Sequence, residues 1–97
     1  MEFEFDPAKS DANHAKHGID FDEAQELWAV WGFEKALPFA KERRWMRIVP
    51  LSERFWTVIY TVRGENVRLI SVRRARDEET KDYDNANRRR LGHDPQP

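Results

Sequence analysis

The run from Phe55 to Val62 is β-branched or aromatic at every position, and it constrains the architecture more than any other stretch. Such side chains crowd a helix and pack well on a pleated surface, so the run predicts a central strand. Gly64-Glu65-Asn66 follows as a turn and Val67–Ala75 as a partner strand, which makes a hairpin. Upstream, Arg44–Val49 reads as another strand, stopped by Pro50, with Ser52-Glu53-Arg54 turning the chain. Phe33, Leu37 and Phe39 mark a short strand whose Pro38 favours an edge position, and Phe3-Glu4-Phe5 a small edge strand.

The helices are announced by their ends. Asp6 suits an N-cap and Pro7 the first helical position, while Gly18 suits a left-handed C-cap, so a helix is predicted over residues 7–17. Asp20 and Glu23 fit a capping box, and Phe21, Ala24, Leu27 or Trp28, and Trp31 recur at helical spacing up to Gly32. Trp28 and Trp31 read there as core or partner-facing residues. Asp77-Glu78-Glu79 opens a last helix through about Asn87, with Tyr83 near its middle. The expected fold is α+β: two N-terminal helices, an antiparallel sheet of three to four strands with helices on one face, and a C-terminal helix. One domain over residues 1–87 is expected, followed by a basic, proline-containing tail over 88–97.

Charge is segregated. Residues 41–76 hold ten Lys/Arg against three Glu, whereas the whole chain is at −1. A basic segment inside a nearly neutral chain suggests a face for a polyanion. Twelve of the 17 basic residues are Arg, whose planar fork suits bidentate phosphate contacts. No cysteine is present, so disulfides and thiolate chemistry are excluded, and His14/His17 alone make no metal-ligand motif. No apolar run approaches the roughly 20 residues that span a bilayer, and a cytoplasmic protein is expected.

Strict alternation along the last strand sends Val67, Leu69, Ser71 and Arg73 to one face, and Arg68, Ile70, Val72 and Arg74 to the other, unless a bulge intervenes. On the first helix Lys9, Asn13 and Lys16 share a stripe, with His17 beside it. Two readings stay open for that stripe: a solvated face ending in cations that suit the helix dipole, or Lys16 and His17 turned towards a substrate.

Two segments resemble the BrnT family of ribonuclease toxins, whose fold is like that of RelE-type toxins. The first runs Phe5-Asp6-Pro7-Ala8-Lys9, through Asn13, to Lys16-His17-Gly18-Ile19-Asp20-Phe21; the second is Tyr60-Thr61, Arg63-Gly64 and Val67–Ala75. Val62 stands where that family often has Glu. The resemblance, covering about residues 3–85, implies an endoribonuclease that needs no metal or other cofactor and attacks the phosphate with the substrate's own 2′-hydroxyl. It also implies a BrnA-like ribbon-helix-helix antitoxin as partner, with operator DNA contacted only through that antitoxin, and it allows a homodimer within the complex.

On this footing the catalytic candidates are Arg73 as principal phosphate clamp, Arg63 as a second, and Lys16 and His17 for charge or proton transfer. Strand parity is expected to turn Arg73 towards a cleft beneath Lys16. Arg68, Arg74, Arg44, Lys9 and Tyr83 are the expected RNA contacts, and Glu42 is a fallback carboxylate. The competing readings are a non-catalytic RNA-binding module and a protein-interaction domain, each using the same basic hairpin.

Overall fold

The computed structural model describes residues 1–38 and 41–92. Its elements are β1 (Phe3–Glu4), α1 (Pro7–His17), a 3-10 segment (Glu23–Trp28), β2 (Phe33–Leu37), β3 (Arg44–Leu51), β4 (Arg54–Arg63), β5 (Asn66–Arg74) and α2 (Asp77–Arg90). The strands form one sheet in the order β1-β5-β4-β3-β2. β2 to β5 pair antiparallel, whereas β1 pairs parallel with β5, Phe3 opposite Val67. The sheet is therefore mixed and five-stranded, not antiparallel with three or four strands. Two residues carry no pattern from which β1's partner could be read.

Both faces of the sheet are covered, which corrects the expectation of helices on one face. On the first face Val49, Trp56, Val58, Tyr60, Val67, Leu69 and Val72 pack with Ile19, Phe21, Ala24 and Leu27 from the segment after α1. On the second, Met46 and Ile48 pack with Tyr83 of α2, with Phe33, Phe55 and Ile59 against them. A central strand that is apolar at successive positions has two faces to bury, so one helical layer is not enough.

α1 begins and ends as expected. Asp6 Oδ1 accepts the Ala8 N–H at 2.9 Å, and Gly18 at φ 78° closes the helix with its N–H on His14 O. The second expected helix is instead a 3-10 segment. Its capping box does form, with Glu23 N–H on Asp20 Oδ1 at 2.8 Å and Asp20 N–H on Glu23 Oε1 at 3.1 Å. Phe21, Ala24 and Leu27, each no more than 1% exposed, repeat every three residues, the period that a 3-10 turn places on one side. Arg47 then holds the exit, giving Nε to Leu27 O at 3.1 Å, Nη2 to Val30 O at 2.6 Å, and Nη1 to Glu34.

β3 does not stop at Pro50 but runs through it, with Pro50 opposite Phe55. β2 reaches only as far as Ile48, so the missing Pro50 N–H faces no partner on that side. Leu51 pairs with Arg54 around Ser52 and Glu53, both at positive φ, as a two-residue hairpin with right-handed strand twist requires. α2 extends to Arg90, three residues past the expected end, with acids in its first turn and Arg88–Arg90 in its last, in the sense the helix dipole favours. Phe39, expected in a strand, and the tail from residue 93 onward lie outside the described residues.

Candidate nucleic-acid interface

β5 positions most of the cationic candidates, and a bulge decides where they point. Ile59 pairs with Ser71 and Tyr60 with Leu69, so Ile70 is the extra residue. Val67, Leu69 and Val72 thereby all reach the core packed by the segment after α1. Arg68, Ser71 and Arg73 come to the other face, with Thr61, Ile59 and Thr57 as their partners on β4. Strict alternation grouped Arg73 with Leu69 and aimed it at a cleft beneath Lys16. The structure overturns that grouping: Arg73 shares its face with Arg68 and meets α2.

There Arg73 is fully engaged. Its Nη1 and Nη2 donate to Glu79 Oε1 and Oε2 at 2.7 and 2.8 Å, a fork-to-fork pair. The Glu79 carboxylate also accepts the Thr57 hydroxyl at 3.0 Å and the Arg76 N–H at 2.8 Å, and it is only 4% exposed. Burial alone would push its pKa up, but these donors, Arg73 first, hold it at about 2. Glu79 in turn raises the Arg73 pKa above its ordinary value, against the effect of burial.

The other arginines divide. Arg63 lies 3.6 Å from Glu42 and 4.0 Å from Glu4, and Arg68 3.3 Å from Glu4, forming a charged cluster near the Gly64-Glu65 turn. Arg44 sits opposite Thr61 on the same face as Arg63 and Arg68, and its Nε is buried without a partner among the described residues. Arg74 is exposed on the opposite face, 5.9 Å from the Trp56 ring. Tyr83, expected at the RNA, is buried instead, between Phe55 and Trp31 at ring distances of 5.0 and 5.4 Å.

α1 brings a second group to the edge of β5. Lys9, Asn13, Lys16 and His17 line one shallow recess with Ile70 and Ser71, of about 210 Å³. Asn13 is what fixes it. The Asn13 Nδ2 donates to Ile19 O at 2.8 Å and Val72 O at 2.9 Å, and Oδ1 accepts the Val72 N–H at 3.2 Å. The side-chain amide thus stands in for a neighbouring strand at the bulge.

The reading of residue patterns assigned no role to Asn13, Glu79 or Ser71. Asn13 was legible only as a member of the α1 stripe. Glu79 was legible as the third acid of a helix start, and its pairing with Arg73 depends on which face the bulge selects. Among the described residues no group of three His, Asp or Glu side chains is placed to hold a metal ion. No described helix is long and apolar enough to cross a membrane.

Fold and site together define a small α+β protein that gathers cationic side chains along one strand and its flanking helix. Residues 5–79 match the family described as the ribonuclease toxin BrnT of type II toxin–antitoxin systems, and the chain belongs to that family. Membership implies an antitoxin as partner. No individually curated protein matches the chain.

Proposed function

We propose that this protein is the toxin of a type II toxin–antitoxin pair, an endoribonuclease that arrests translation and growth in the cytoplasm. A ribbon-helix-helix antitoxin like BrnA neutralises it, and operator DNA is reached through that antitoxin. Family membership supports the class. The structural observation that carries the reading is that three strands deliver Arg44, Arg63 and Arg68 to one face of the sheet.

The chemistry needs no metal. The 2′-hydroxyl of one nucleotide attacks the adjacent phosphorus, its proton passes to a base, and the leaving 5′-oxygen takes a proton from an acid. A 2′,3′-cyclic phosphate and a 5′-hydroxyl result. Fixed cations stabilise the charge that builds on the pentavalent phosphorus, commonly the largest single contribution to such a rate. Arg63 and Arg68 suit this grip because their present carboxylate partners are part-exposed and exchangeable for phosphate. Lys16 and His17 supply the proton-transfer and charge-neutralising groups. Arg73 is assigned to architecture, since freeing it would strand the Glu79 carboxylate in the core.

The test is incubation of the purified protein with RNA in excess EDTA. Cleavage with cyclic-phosphate ends is expected, together with growth arrest on expression and its relief by the co-expressed antitoxin. Cleavage abolished by EDTA would reject the metal-free scheme. RNA bound but recovered intact would favour a binding module instead.

A further inference from the structure

We infer that the recess between α1 and β5 is a phosphodiester-binding subsite for RNA, with Lys9 and Lys16 as its cations and His17 and Ser71 as further hydrogen-bond donors. The inference rests on the proposed action on RNA and locates a phosphate within it.

Charge compensation separates this recess from Arg63, Arg68 and Arg73. Arg47, Arg63, Arg68 and Arg73 each have a carboxylate partner within the fold. Among the described residues none of the ion pairs involves Lys9, Lys16 or His17. An incoming phosphate must displace a carboxylate at Arg63 or Arg68, whereas at the recess it meets lysines with no such competitor.

The helix dipole does not account for the arrangement. Lys16 and His17 lie in the last turn of α1, where cations are favoured, but Lys9 lies in the first turn, where they are not. That first turn holds no acidic residue. The helix is cationic along the stripe that faces β5 whatever its dipole prefers. The end of the helix itself repels anions, so the affinity has to come from the side chains.

The size of the recess and the anchoring of its floor suit a phosphate. The recess, at about 210 Å³, lies below the roughly 300–1,000 Å³ of small-molecule pockets and has room for a phosphate and its neighbouring atoms. Asn13, 8% exposed, anchors the floor by bonding the Ile19 and Val72 backbone on either side. The helix turn that carries Lys16 and His17 is therefore tied to the strand that carries Ser71 before RNA arrives.

A 2′-O-methyl RNA oligonucleotide, which cannot supply the attacking hydroxyl, separates binding from cleavage. Its affinity is measured against salt for the wild type, Lys9→Gln, Lys16→Gln, the double variant and Arg68→Gln, with amide shifts followed by NMR. The expected result is weaker binding in each lysine variant and a salt slope reduced by about 1 per lysine removed. Shifts at Lys16, His17 and Ser71 are expected alongside. A double variant with wild-type affinity and salt slope, or shifts confined to Arg44, Arg63 and Arg68, would overturn the subsite. Binding at the recess with an all-ribose RNA left uncut would keep the subsite and remove the nuclease.

Discussion

Arg73 on β5 and Glu79 on α2 form a two-bonded ion pair that joins the last strand to the helix covering it. The carboxylate is the more deeply buried partner and carries two further donors, so the pair is a structural joint before it is anything else.

Removing one partner alone is expected to be costly, because the other is left charged in the core. Arg73→Ala should lose about 3–5 kcal/mol by urea unfolding, and Arg73→Met with Glu79→Leu markedly less. The pH dependence has a definite sign. Glu79 is depressed to about 2 in the folded protein, so its contribution is present above the ordinary Glu pKa and is lost as pH falls towards 2. A flatter acid limb in the double variant is the expected signature. An unchanged limb would show that other carboxylates carry it.

Asn13→Ala removes the partner of the Val72 N–H and of two backbone carbonyls. A buried polar group left unpaired costs about 1–3 kcal/mol, so a loss of at least about 2 kcal/mol is expected. Amide hydrogen exchange provides the local check, since the Val72 amide should lose protection well beyond that of Val58. Equal protection in variant and wild type would mean that the bulge is held without Asn13.

Gly32 is needed for space. A Cβ built there would lie 2.6 Å from Val49 Cγ2 and 3.0 Å from Arg47 Cζ, the side chain that anchors the 3-10 segment. Gly32→Ala is expected to destabilise by about 1–3 kcal/mol, as overpacking does. A thermal midpoint equal to wild type would show that the loop shifts freely.

Tyr60 should resist ionisation in the folded protein. Burial, then the 2.8 Å hydrogen bond to Glu34 Oε2, pushes the Tyr60 phenol well above its ordinary pKa. Folding raises this pKa, so its contribution is complete below about pH 10 and declines as pH rises further. Phenolate absorbance of folded Tyr83→Phe should stay low at pH 10–11, and Tyr60→Phe should abolish the coupling between alkaline unfolding and that delayed ionisation. Ordinary titration of Tyr60 in the folded protein would refute the contact.

Much of the fold was written locally. α1 obeys its own caps, and the β4–β5 hairpin needs only an apolar run, a Gly-containing turn and a second run. Such signals depend on neighbours a few residues away, so the chain itself determines them. The family segments lie in these same stretches, so Lys16 and His17 stand out as candidates in the sequence itself.

What the tertiary structure decided is how the charges are used. One extra residue at Ile70 moves Ser71 and Arg73 to the face opposite Leu69, and an alternating pattern contains no mark of it. Asn13, 59 positions away from Val72, bonds the backbone beside that bulge, and Arg73 meets its partner Glu79 only because α2 folds back over the sheet. Composition and spacing revealed that this protein is rich in arginine along one hairpin. Only three-dimensional pairing showed that the fold neutralises Arg63, Arg68 and Arg73 itself and leaves Lys9 and Lys16, at the edge of β5, without a carboxylate partner among the described residues.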